Sequence, residues 1–310
     1  MAHCFVTRKL PGAALDRLRA RHDVDVWPER LPPPYDVLRE RTADADGLLA
    51  LLSDRVDAEL IAGSPRLRAV ANYAVGYDNI DLCAAAARGI AVGNTPDVLT
   101  DATADLTFAL LLAVARRLPE AVRTVRSGDW LTWEPGAHLG ADVHGATLGI
   151  VGMGRIGRAV ARRAEGFSMT VLHAGADGGV PLLQLLARSD FVSIHCPLTA
   201  QTRHLIDAAA LELMRPNAIL INTARGPIVD QRALVAALHE GRIAAAALDV
   251  TDPEPPAADD PLLKTPNLLV VPHIGSATRT ARERMADLAV GNLIAALDDE
   301  PMAHPVAPPV

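Results

Sequence analysis

Short apolar runs separated by stretches of helical periodicity recur along the chain. Up to about residue 96 they read HCFV, DVDVW, GLLALLS, LRAVANYAV and GIAVGNT. Runs of this length, each followed by enough residues for a helix, predict parallel βα units. The series then restarts: TLGIVG (147–152), MTVLH (169–173), FVSIH (191–195), AILIN (218–222), AAALDV (245–250) and NLLVVP (267–272) predict six further strands. IGRAVARRA, AALELM and ALVAALHEG supply helices in the gaps, the last stopping at Gly241. No short-period repeat is present. The pattern describes two successive α/β halves, read as two doubly wound parallel-sheet domains.

Between the halves, LTFALLLAVA (106–115) is apolar nearly all round, which predicts burial between domains or subunits. It is about half the length needed to cross a bilayer. Asp101 and Asp105 precede it while Arg116 and Arg117 follow, which suits the dipole of a soluble helix. Near the C-terminus, TARERMADLAVGNLIAAL predicts an amphipathic helix that crosses back onto the first half. The proline- and alanine-rich tail from Pro301 is expected to be loose.

Composition narrows the function classes. The 310 residues leave room for about two domains, and with half of them hydrophobic the chain is not disordered. A formal charge of −7 lacks the concentrated positive field that phosphate backbones require, so no nucleic-acid partner is expected. Cys4, Cys83 and Cys196 show no Cys-x-x-Cys spacing, and His138 and His144 show no metal-ligand spacing. Reduced thiols, no bound metal and a cytoplasmic location are expected, since the start of the chain carries no secretory signal and no membrane partner is indicated.

Gly152-x-Gly154-x-x-Gly157 stands between a predicted strand and a predicted helix, the context in which glycines let a backbone approach a pyrophosphate at a helix N-terminus. The other unusual polar residues follow the same logic. Cys196-Pro197 follows one strand, Thr223-Ala224-Arg225 the next, Asp249 to Glu254 another, and His273 ends the last. All lie at carboxyl ends of parallel strands, the edge where open α/β sheets bind ligands. Taken singly, Arg225 reads as a surface ion pair and Glu254 as a solvated loop acid. Taken together, they form a reductive site. Arg225 offers a planar fork for a carboxylate and positive charge beside a carbonyl. His273 can give a proton to the carbonyl oxygen, and Glu254 would orient the ring and favour its charged form.

These motifs resemble the D-2-hydroxyacid dehydrogenases, and most of all their glyoxylate/hydroxypyruvate reductase branch. The resemblance runs through AVGYDNID (74–81), NTPDVLTDATAD (94–105), LGIVGMGRIG (148–157), INTARGPIVD (221–230), AALDVTDPEP (246–255) and VPHIGSAT (271–278). It implies Arg225, Glu254 and His273 as the catalytic set, and the amides of Val75 and Gly76 as a clamp for the substrate carboxylate. It implies that Asp249 meets the nicotinamide end of an NAD(P) cofactor. Thr103, Gly152, Gly154, Arg155, Ile156, Gly157, Gly175, Cys196, Pro197, Thr202, Thr223, Ala224 and Gly275 would line the dinucleotide. A flavodoxin-like substrate domain of residues 1–97 plus 281–310 would be paired with a Rossmann dinucleotide-binding domain of 98–280. A homodimer is expected, with the helix near 100–118 in its interface. The substrate would be a small 2-keto acid, reduced to the D-2-hydroxy acid.

The chain departs from the pattern in VLHAGADGG. About 20 residues beyond a dinucleotide turn, an acid for an NAD ribose or an arginine for an NADP phosphate is expected. Gly175 stands there, Ala176 follows, and Asp177 is read as part of a turn. The link to the next strand is also short for the family. Modest discrimination between the cofactors follows, with a lean towards NADP. Ala137 stands where some reductases of this branch place a bulky aromatic, which bears on substrate size. Another 2-hydroxyacid dehydrogenase, such as one for 3-phosphoglycerate, and a dinucleotide-sensing corepressor of the same architecture are the alternatives.

Overall fold

The computed structural model describes residues 1–176 and 178–308. The chain divides into two compact units, 1–99 with 277–310, and 100–276.

In the first unit, β1 (His3–Val6), α1 (Ala14–Arg19), β2 (Asp23–Val26), α2 (Tyr35–Ala43), β3 (Gly47–Ala50), α3 (Ala58–Ala62), β4 (Ala69–Asn72), α4 (Leu82–Ala87) and β5 (Ala91–Gly93) alternate. Every strand pair is parallel, in the order β2-β1-β3-β4-β5, which is the flavodoxin-like order. β3 and β4 are buried along their whole length, which explains why both read as unbroken apolar runs. Leu48, Leu49 and Leu60 are fully enclosed, each contributing roughly 1.5–3 kcal/mol. Asp57 and Asp81 cap α3 and α4 by accepting from the amides of Leu60 and Ala84, fixing where each helix begins.

In the second unit, α5 (Thr100–Ala115) and α6 (Leu118–Ser127) precede the second sheet. Its strands are β6 (Thr147–Val151), β7 (Thr170–Gly175), β8 (Gly178–Gly179), β9 (Phe191–Ile194), β10 (Ile219–Asn222), β11 (Ala245–Leu248) and β12 (Leu268–Val270). α7 (Arg155–Glu165), α8 (Leu182–Arg188), α9 (Ala208–Leu213) and α10 (Gln231–His239) connect them. The order is β12-β11-β10-β9-β6-β7-β8, parallel except for β8, which runs antiparallel to β7. A doubly wound dinucleotide fold has order 3-2-1-4-5-6. Here a two-residue hairpin strand holds the place of the outer parallel strand, because the link from β7 leads through the single short helix α8 straight to β9. The order reverses between β6 and β9, so the crevice of the switch point opens at their carboxyl ends.

Two expectations need correction. The apolar helix α5 is consumed inside its own unit: Phe108, Leu111 and Val114 pack with Leu148, Ile150 and Ile221 of the second sheet. Its inner faces lie between the sheet and α7, while Asp101, Asp105 and Ala109 stay exposed and Leu106, Leu112 and Ala113 are half-buried. The tail is not loose either as far as Val306. Pro305 bridges Gly93, the Val306 amide donates to Val92, and the His304 amide donates to the side chain of Asn292. These bonds close the exposed edge of β5. The last helix, α11 (Arg279–Leu297), packs within the first unit against α1, β3, β4 and β5. Among the described residues, no helix is long and apolar enough to cross a membrane.

Candidate functional site

The glycine turn shows three separate demands. Gly152 has φ +95°, and a Cβ there would stand 2.6 Å from the Cys196 amide nitrogen, so only glycine lets the turns after β6 and β9 meet. A Cβ on Gly157 would stand 2.3 Å from the Gly152 carbonyl oxygen, so its absence seats α7 on β6. Gly154 differs, since nothing within 4 Å would meet its Cβ. It is the N-cap of α7 and makes no side-chain cap to that helix, whose N-terminal end suits an anion. A tight turn, an open glycine and a helix N-terminal end fit a pyrophosphate.

Around this turn, Thr103 donates to the Gly275 carbonyl (3.2 Å), and the hydroxyls of Thr107 and Thr223 bond at 3.1 Å. These contacts join α5 to the ends of β10 and β12. The Thr202 hydroxyl donates to the Pro197 carbonyl (2.7 Å), making 197–202 a self-bonded loop. Burial pushes the Cys196 thiol up to about 11, so it is a neutral wall rather than a nucleophile. Desolvation pushes the neighbouring His195 ring, whose Nε2 meets the Ser193 hydroxyl at 2.8 Å, down to about 3. Gly175 pairs with Gly178 across the β7–β8 hairpin, while Asp177 lies outside the described residues.

His273 and Glu254, 19 positions apart in the chain, meet: Nδ1 of the imidazole stands 2.6 Å from Oε1 of the carboxylate. The histidine backbone is left-handed, with φ +50°, which a side chain of this size rarely adopts. Asp249 holds it there. The Asp249 carbonyl accepts from the His273 amide (2.8 Å), and its carboxylate oxygens accept from Ile274 (2.6 Å) and Gly275 (2.8 Å). This residue is 1% exposed, and burial pushes its carboxyl above the usual range against the pull of those amides. Three consecutive amides bound to one aspartate is a task the sequence reading missed.

Arg225 follows β10 in extended conformation. The buried Asn222 accepts from the Ala224 amide (3.0 Å) and donates to the Arg225 carbonyl (2.8 Å), so it sets this turn. The next residue, Gly226, packs where a Cβ would stand 2.0 Å from the Thr251 carbonyl oxygen. Gln231, at the start of α10, accepts from the Asp252 amide (2.9 Å) and also donates to the Asp252 carbonyl. The loop of Arg225 is thereby pressed onto the loop that carries Glu254. The peptide bonds before Pro253 and Pro255 are cis.

In the first unit, Val75 and Gly76 form the turn after β4. Asn94 donates to the Val75 carbonyl (2.7 Å) and Asn72 to the Gly76 carbonyl (2.8 Å). The two amides of the turn meet no acceptor among the described residues. Two asparagines at strand ends therefore orient a pair of free donors, and neither stood out in the sequence.

The pattern described as "D-isomer specific 2-hydroxyacid dehydrogenase, NAD binding domain" matches residues 108–275. A glyoxylate reductase of Korarchaeum cryptofilum is 52% identical over 303 residues, covering 94% of this chain and 91% of that protein. The crystal structure of the TT0316 protein from Thermus thermophilus superposes with TM-score 0.92 at 49% identity, covering 98% of this chain and all of that one. The NADPH-dependent glyoxylate/hydroxypyruvate reductase of Sinorhizobium meliloti, solved with NADP and malonate, gives TM-score 0.86 at 34% identity over 99% and 97% of the two chains. Likeness along nearly the full chain, on a second unit whose glycine turn fits a dinucleotide, places this chain in the D-isomer specific 2-hydroxyacid dehydrogenase family.

Proposed function

We propose that the protein reduces glyoxylate or hydroxypyruvate to the D-2-hydroxy acid with NAD(P)H, using Arg225, Glu254 and His273. The observation that carries the reading is the 2.6 Å pair of His273 and Glu254 at the strand edge shared with the glycine turn. The names of the similar reductases support the substrate class. When bound, the dinucleotide supplies the hydride. Gly154 and the first amides of α7 hold its pyrophosphate, with Thr103, Thr223 and the 196–202 loop beside it. The amides of Val75 and Gly76 take the substrate carboxylate. Arg225 draws electron density from the carbonyl.

The proton has one route. Nδ1 of His273 is engaged by Glu254, so Nε2 is the nitrogen that gives its proton to the carbonyl oxygen and takes it back in the reverse direction. Asp249 keeps the ring aimed by fixing its backbone.

Gly175 ends β7 without an acidic reader among the described residues, which supports use of both cofactors with a lean towards NADP. Exposed Leu118, Val122 and Val125 of α6, with Trp130 and Trp133 beyond it, support a homodimer formed through that surface. The test is loss of reduced-nicotinamide absorbance with glyoxylate, hydroxypyruvate and pyruvate, using NADPH and NADH in turn, beside light scattering. Michaelis constants within roughly tenfold for the two cofactors are expected, and a preference for NADH of about a thousandfold would contradict the cofactor reading. No turnover with any 2-keto acid would favour a dinucleotide-sensing protein.

A further inference from the structure

We propose that the first unit carries an anion subsite, lined by Arg8, Lys9, Arg30, Arg279 and Arg282, that takes the distal anionic group of a 2-keto acid larger than glyoxylate. The proposal rests on the reductase reading above and extends it to the far end of the substrate.

A cavity of about 850 Å³ lies wholly within this unit. Arg8, Leu51 and Tyr73 reach it from the carboxyl ends of β1, β3 and β4, and Pro28–Arg30 from the segment after β2. That is the ligand edge of a doubly wound sheet. The first turn of α11 forms the remaining wall. Its Thr278 side chain caps the Ala281 amide, and the positive end of a 19-residue helix faces the same space.

The lining is strongly cationic. Five basic side chains face two carboxylates, Glu29 and Glu283, an excess of three positive charges in a chain whose formal charge is −7. Counting Asp54, which stands behind Arg8 and outside the lining, the excess is still two. Arg8 is held in place, not left waving in solvent. Its side chain is 13% exposed, donates to the Thr7 carbonyl, and stands 3.9 Å from Oδ1 of Asp54. Asp54 is itself fixed by the Leu51 amide (2.7 Å) and the Thr7 hydroxyl.

Tyr73 ties the walls together, its hydroxyl donating to the Arg282 carbonyl at 2.7 Å. It also precedes Val75 by two positions on one loop, so the cavity adjoins the proposed carboxylate clamp. A keto acid held by those amides and carrying a phosphate or second carboxylate has a cationic space for its other end. Glyoxylate has no group to place there.

The test compares kcat/KM of the holoenzyme for glyoxylate, 3-phosphohydroxypyruvate and 2-oxoglutarate with those of Arg8→Gln and Arg279→Gln. Calorimetric titration with 3-phosphoglycerate accompanies it. Removing one charged donor should weaken the dianionic ligand about tenfold or more, while glyoxylate reduction shifts less than about twofold. Arg279 is 89% exposed, so its replacement leaves the fold intact even if Arg8→Gln unsettles Asp54. Equal effects on glyoxylate and dianion would overturn the subsite. So would glyoxylate reduction by a wild type that binds no dianion. Absence of all keto-acid reduction, with arginine-dependent binding of 3-phosphoglycerate preserved, would instead overturn the reductase reading and leave the subsite standing.

Discussion

Replacing Glu254 separates two tasks of one carboxylate. At 2.6 Å from Nδ1 of His273, it both orients the ring and places a negative charge beside it. Glu254→Gln keeps the length and an accepting oxygen but removes the charge. A hydrogen bond to a charged group is worth roughly 1.5–3 kcal/mol and a neutral one about 0.5–1.5, a difference near 1 kcal/mol or a little more. The two side chains are 22% and 33% exposed, so water screens part of that difference. About 1 kcal/mol corresponds to a loss of roughly fivefold in kcat/KM for glyoxylate. Glu254→Ala also frees the ring to turn, and should cost on the order of 100-fold, within the range a positioned general acid supplies. Steady-state rates with saturating NADPH measure both, and fluorescence titration should show unchanged cofactor affinity. Equal losses in the two variants would refute the separation of orientation from charge. A Glu254→Ala enzyme within about twofold of wild type would refute any role for the pair.

Three further outcomes follow from the same geometry. Gly226→Ala would force a methyl to 2.0 Å from the Thr251 carbonyl, so urea unfolding should show a loss of about 1–3 kcal/mol or more, with lower kcat/KM as the loops of Arg225 and Glu254 part; a neutral variant would disprove that packing. Asp249→Asn keeps one accepting oxygen but sets an NH2 donor against the other amide, yet it avoids the cost of a buried charge, a cost that grows as pH rises through the folded-state pKa; stability within about 2 kcal/mol of wild type with kcat roughly tenfold lower is expected, and an unchanged kcat would refute the holding role. His195 has its folded pKa lowered to about 3 from 6.5, so the unfolded chain binds the extra proton and stability falls as pH drops below 6.5; denaturant melts at pH 6.5 and 5 should differ by about 2 kcal/mol more in wild type than in His195→Gln, and equal differences would refute it.

Much of the fold was legible because covered parallel strands must be apolar on both faces. HCFV, FVSIH and AILIN became β1, β9 and β10 for that reason. The tail was misread because its order comes from bonds to Gly93, Asn94 and Asn292, the first two far away along the chain, and local composition carries no trace of them. LTFALLLAVA announced burial but not its partner, which is its own sheet. In the site, Arg225, Glu254 and His273 could be found because each ends or follows a strand on one sheet edge. Their supports could not. Asn72, Asn94 and Asn222 are ordinary polar residues at strand ends until their carbonyl partners are seen. The hold of Asp249 on three successive amides is likewise a fact of folded geometry alone.

Single-turnover reduction of glyoxylate by His273→Ala tests the central claim most directly. With cofactor prebound, the chemical step should slow by about 10²–10⁴-fold, the contribution of a positioned proton donor, while NADPH affinity stays within roughly twofold of wild type. A rate near that of wild type would mean that the proton comes from elsewhere, and the assignment of this strand-end imidazole would fall.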